Sequence, residues 1–168
     1  MKKILLSTLL ALLTSITLNA QEITIEKDEI TGEVSYLVSR NLVLSNSNKT
    51  SGFVIQPYIK LYDGKLMFAE FIVKTLNVGS DCVEKNTMII LFEDNSKYEL
   101  NSWNKFNCNA TSYMSMLTGL TEKLESTTIK KIRVTNGRDY NSLTLDVDDK
   151  NKSYFINILK SLKNLNNK

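Results

Sequence analysis

Phe53-Val54-Ile55-Gln56-Pro57-Tyr58-Ile59-Lys60-Leu61-Tyr62-Asp63-Gly64-Lys65-Leu66-Met67-Phe68-Ala69-Glu70-Phe71-Ile72-Val73-Lys74-Thr75-Leu76 is the stretch that decides the fold. Two runs rich in β-branched and aromatic residues flank Asp63-Gly64. Glycine accepts the positive φ that a two-residue hairpin turn requires, so the pair predicts two antiparallel strands joined tightly.

Similar patterns lie on both sides. Upstream, Ile23 and Ile25 alternate, a turn falls over Asp28-Glu29-Ile30-Thr31-Gly32, and a second strand runs from Glu33 to Ser39. Leu42-Val43-Leu44 continues that edge, and polar 45–51 reads as a loop. Downstream, Thr87–Phe92 and Lys97–Leu100 flank Asp94-Asn95-Ser96, a second hairpin, and a further strand is expected over Ser112–Met116. Leu117, Leu120 and Leu124 have helical spacing, whereas Ile129–Val134 alternates as a half-buried strand. Asn136-Gly137 then turns into a strand over Leu143–Val147. Phe155, Ile158, Leu159, Leu162 and Leu165 form one apolar stripe of a closing helix, with Asp148 or Asp149 as its cap. These elements predict an α+β fold: a mostly antiparallel sheet of about seven to nine strands, with a short helix and a C-terminal helix packed on one face.

The first twenty residues read differently. Lys2-Lys3 precede an apolar run from Ile4 to Leu13, which ends through a more polar segment at Ala20. Basic, apolar and small-residue regions in that order predict a signal peptide cleaved after Ala20. The apolar core is too short for a spanning helix, which needs about 20 residues. The expected organisation is therefore signal peptide 1–20 and a single globular domain over 21–168, periplasmic or secreted, with no stable membrane anchor after cleavage.

Loss of Lys2 and Lys3 leaves 19 basic against 18 acidic side chains, a net charge of +1. That balance offers no footprint for nucleic acid. Cys82 and Cys108 are the only cysteines, and in an exported chain they are expected to form a disulfide. The chain has no histidine. That removes the usual general base, the Ser-His and Cys-His pairs and the commonest metal ligand. No cofactor fingerprint, metal-ligand spacing or catalytic motif is present.

Weaker patterns fail on their surroundings. Ser102-Trp103-Asn104-Lys105 has Ser-x-x-Lys spacing but lies in an asparagine-rich loop without the supporting motifs of that acyl-transfer chemistry. The segment starting at Asp146 lacks the glycine and the glutamate of a calcium loop, so its acids read as a helix cap. Glu70 and Glu93 lie in or beside apolar strand runs. A carboxylate hydrolase needs two acids facing across a cleft, and the sequence selects no pair. Trp103 and Phe106, among asparagines leading to Cys108, form a candidate binding surface, against the ordinary reading that both rings fold inward as loop anchors. The lysines from Lys150 to Lys168 read as a solvated helix face.

The order of signal peptide, strand hairpins, an Ile-Lys-Lys-Ile-Arg-Val strand (Ile129–Val134) and a Phe-Ile-x-x-Leu-Lys-x-Leu helix (Phe155–Leu162) resembles small uncharacterised secreted α+β proteins of bacteria. The resemblance implies a fold and export; it brings no activity. Three functions follow as expectations. The first is an exported non-catalytic binding protein that presents a surface to an envelope or secreted protein, in an inhibitor or immunity-type role. The second is a carbohydrate or envelope-polymer binding module using Trp103, and the third a carboxylate-based hydrolase.

Overall fold

The computed structural model describes residues 23–166; the expected signal peptide and Lys168 lie outside them. The element order is β1 (Ile23–Lys27), β2 (Val34–Val38), β3 (Leu42–Ser45), β4 (Gly52–Tyr62), β5 (Lys65–Leu76), β6 (Thr87–Phe92), β7 (Lys97–Asn101), β8 (Thr111–Ser115), α1 (Leu120–Ser126), β9 (Ile129–Thr135), β10 (Ser142–Asp146) and α2 (Tyr154–Asn166).

The β4–β5 hairpin forms around Asp63 and Gly64, which both take positive φ, 47° and 73°. It is the spine of a six-stranded antiparallel sheet ordered β1-β2-β4-β5-β8, with β3 also on β4. Strands β2 and β3 lie end to end along β4: Leu37 faces Tyr58 and Leu42 faces Ile55. Pro57 falls between those two partners and is in register with Phe71 of β5. The expected single sheet is in fact two. The second has four strands ordered β10-β9-β6-β7. One isolated bridge, Ser102 to Met114, links the end of β7 to β8. Beyond it the Trp103 N–H donates to the Tyr113 carbonyl at 3.1 Å, and the Tyr113 N–H donates to the side-chain oxygen Asn104 Oδ1 at 2.9 Å. The seam stays a single bridge, and the two sheets diverge.

The inner faces of both sheets and both helices share one core. Sheet one supplies Phe53, Ile55, Ile59, Phe71 and Val73; sheet two supplies Met88, Ile90, Phe92, Ile132 and Val134. Phe155 of α2 meets Phe68 edge to face and lies tilted against Phe71, with ring centroids 5.4 and 5.1 Å apart. Phe155, Ile158, Leu159 and Leu162 are buried, whereas Leu165 is 47% exposed, so the predicted stripe ends one turn early. The cap also differs from expectation. Asp148 Oδ1 accepts the Asn151 N–H at 3.1 Å in the turn ahead of α2, and the Ser153 carbonyl accepts the first helical bond, from Asn157.

Cys82 and Cys108 are joined, S–S 2.01 Å. They flank the antiparallel pair Val83–Asn107 and so face each other across two short extended segments. A buried asparagine network holds this end together. Asn86 Nδ2 donates to Ser112 Oγ at 2.9 Å, and Asn86 Oδ1 accepts the Gly137 N–H at 3.0 Å. Asn136 Nδ2 donates to the Ser80 carbonyl at 2.7 Å. Each group satisfies a backbone or side-chain partner that burial would otherwise leave unpaired. Asn86 and Asn136 are therefore structural.

Candidate binding surface

Antiparallel register decides which side chains share the outer face of the six-stranded sheet. Tyr58 of β4, Glu70 of β5 and Ser115 of β8 stand in one row; Gln56, Ile72 and Tyr113 stand in the next. Successive strand residues point to opposite sides, so both rows face away from the core that Phe71, Val73 and Met114 enter. The helices pack elsewhere, and this face is left open.

Trp103 lies on it. The chain leaves β7 at Ser102, and the Trp103 N–H donates to the Tyr113 carbonyl at 3.1 Å, which fixes the backbone against β8. The side chain then turns onto the outer face. Its Nε1–H donates to Glu70 Oε1 at 2.7 Å, and its ring packs on Tyr113 with centroids 5.6 Å apart. Trp103 is held at both ends and is nevertheless 63% exposed. The loop-anchor reading does not describe it: the ring covers no core, and it is not free. Burial pushes the Glu70 carboxyl above its ordinary range, opposed by the Trp103 hydrogen bond and by the Lys60 charge.

Phe106 is 52% exposed and has a different partner, the Arg138 guanidinium 5.3 Å above its ring. No ring contact joins it to Trp103 among the described residues. Of the two residues named from sequence, Trp103 therefore belongs to the platform and Phe106 to the disulfide end. Tyr113, Tyr58 and Glu70 complete the platform. The sequence signal that pointed to Glu70 was a carboxylate inside an apolar strand; nothing local marked its partner.

Beside the platform, a cavity of about 270 Å³ is lined by Tyr58, Ser35, Glu26, Asp28 and Glu33. Register makes it continuous with the platform, since Ser35 faces Lys60 on one strand and Glu26 on the other. Lys60 bridges Glu33 at 2.9 Å and stands 5.8 Å from the Tyr58 ring centre. A larger cavity of about 540 Å³ lies between the hairpin tip and the helices, lined by Leu66, Met67, Thr121, Glu122, Glu125 and Lys163. Its two acids come from one helix, and Glu125 is ion-paired with Lys163.

The remaining sequence candidates have other partners. Glu93 bridges Lys152 at 2.8 Å, and Lys152 also meets Asp149 at 3.0 Å, which raises its pKa to about 12. Lys150 meets Asp148 at 3.6 Å. Ser102 sits in the bridge to Met114, with its N–H on the Asn86 carbonyl, and not on a helix that could bring Lys105 to its hydroxyl. Among the described residues, no group of three or more acidic or cysteine side chains could hold a metal ion. No helix among them is long and apolar enough to cross a membrane. No protein-family model, curated protein or solved structure matches the chain.

Proposed function

We propose that this chain is an exported, non-catalytic binding protein, periplasmic or secreted, that engages another protein through the outer face of its six-stranded sheet. An inhibitor or immunity-type role in the cell envelope is the concrete form. One observation carries the reading: the exposed Trp103 ring is locked by Glu70 at 2.7 Å. Fixing an exposed aromatic before binding lowers the ordering cost of association, and rigid aromatic anchors dominate interface energetics. A specific complex on this face would bury on the order of 800 Å² per partner. Affinity capture with residues 21–168 from native envelope extract, read by mass spectrometry, tests it. A near-stoichiometric protein recovered by the parent chain and lost by Trp103→Ala is the expected result. Equal recovery by both removes the face from the interaction.

A glycan is the second reading, because an exposed indole beside the Glu70 carboxylate, with Ser115 opposite Glu70 in register, also suits a sugar ring. Titration with envelope glycans while following Trp103 emission tests it. Unchanged emission throughout eliminates this alternative.

A further inference from the structure

On the reading that this face binds a protein, charge and aromatic geometry select the group that Trp103 and Glu70 receive. Glu70 uses one carboxylate oxygen for the Trp103 N–H; among the described residues its Oε2 has no hydrogen-bond partner. That half-used carboxylate is flanked by the exposed Trp103 ring and, directly opposite in register, by Tyr58. Aromatic faces attract cations, and a guanidinium can also donate in the plane of a carboxylate. The adjoining cavity carries the same sign: Glu26, Asp28 and Glu33 line it against Lys27, with Lys60 at its rim already bridged to Glu33. The mature chain is nearly neutral, so this acidity is local to the face.

We infer that the platform takes an arginine side chain on a basic segment of the partner protein, its guanidinium on Glu70 Oε2 and over Trp103, with a neighbouring basic residue directed to the Glu26–Glu33 cavity. A neutral sugar can donate hydroxyls to Glu70 Oε2 but brings no charge to balance the carboxylates. An acidic segment would meet the carboxylates of Glu70, Glu26 and Asp28, with Glu33 already bridged to Lys60 and only Lys27 beside them.

The chain has one tryptophan, so its emission reports on this site alone. The test is titration of the mature chain with a capped tri-arginine peptide, a capped tri-glutamate peptide and a neutral N-acetylglucosamine oligomer. The expected result is a saturable emission change with tri-arginine only, weakened by added salt and at least about tenfold weaker in Glu70→Gln. That variant keeps an oxygen acceptor for Trp103 and removes the charge, and its unfolding midpoint verifies that it is folded. No saturable response to tri-arginine, or equal affinity in Glu70→Gln, overturns the inference, as does saturation by tri-glutamate or the glycan instead. The parent reading is judged separately. A partner captured by Glu70→Gln at parental affinity but lost by Trp103→Ala leaves the protein-binding face standing without the cation; a partner retained by both variants removes the face as well.

Discussion

The Trp103 indole donates a 2.7 Å hydrogen bond to Glu70, thirty-three residues earlier in the chain, across the outer face of the six-stranded sheet. The contact couples the emission of the single tryptophan to the protonation of one carboxylate. Burial raises the Glu70 pKa above its ordinary 4.5. Trp103 emission is therefore expected to titrate with a midpoint above 4.5, and Glu70→Gln to abolish that step. A step that persists in the variant would assign it to another group. The stability consequence has a definite sign. A carboxyl whose folded pKa is raised favours the fold while protonated, so its contribution is lost as pH rises from 4.5 through the folded value.

Asp94 behaves in the opposite sense. The Lys123 ammonium, with Ser96, holds its carboxyl down to about 2, from 3.8. A lowered carboxyl contributes stability that is fully present above 3.8 and disappears as pH falls toward 2. Thermal unfolding of Asp94→Asn across that window should show a shallower acid limb than the parent. Identical limbs would show the pair to be without effect in solution.

The disulfide closes a long loop that carries Trp103 and Phe106. Replacing both Cys82 and Cys108 by alanine should lower unfolding free energy by about 3 kcal/mol in urea titration. Trp103 is also fixed from β8 and from Glu70, so its emission in the folded double variant should stay close to parental. A large red shift without unfolding would show that the cross-link, and not those bonds, holds the ring.

Gly137 is required by proximity. A Cβ there would lie 2.2 Å from the Glu84 carbonyl oxygen and 2.3 Å from that of Lys85. Both are backbone atoms, so the loop beside Cys82 must move. Gly137→Ala should cost about 1–3 kcal/mol, the range of an overpacked interior site. Gly32→Ala, where a Cβ meets nothing within 4 Å but φ is +72°, gives a strain-only comparison.

Along α2, Phe155→Ala removes a ring packed against Phe68 and Phe71 and should cost about 3–5 kcal/mol. Leu165→Ala, on the same predicted stripe but exposed, should change stability by less than about 0.5 kcal/mol. Comparable losses at both positions would place Leu165 in contact with the core.

Much of the fold was legible in the chain because it depends on local chemistry. Asp63-Gly64 imposes its turn through glycine's freedom at positive φ, and alternation over Thr87–Phe92 and Ile129–Val134 marks half-buried strands whatever they pair with. The spacing of Phe155, Ile158, Leu159 and Leu162 specifies a helix face in the same way. The number of sheets was not legible. It depends on which strands pair in space: β7 meets β8 through one bridge, Ser102 to Met114, a long-range pairing that no local periodicity encodes. The role of the asparagines was hidden for the same reason, since a side-chain amide has meaning only beside the backbone group it satisfies. Trp103 could be singled out as an aromatic in a polar, cysteine-closed loop. Only the tertiary structure decided that it stands outward on Tyr113 and Glu70, because the register of β5 against β8 places that carboxylate within its reach.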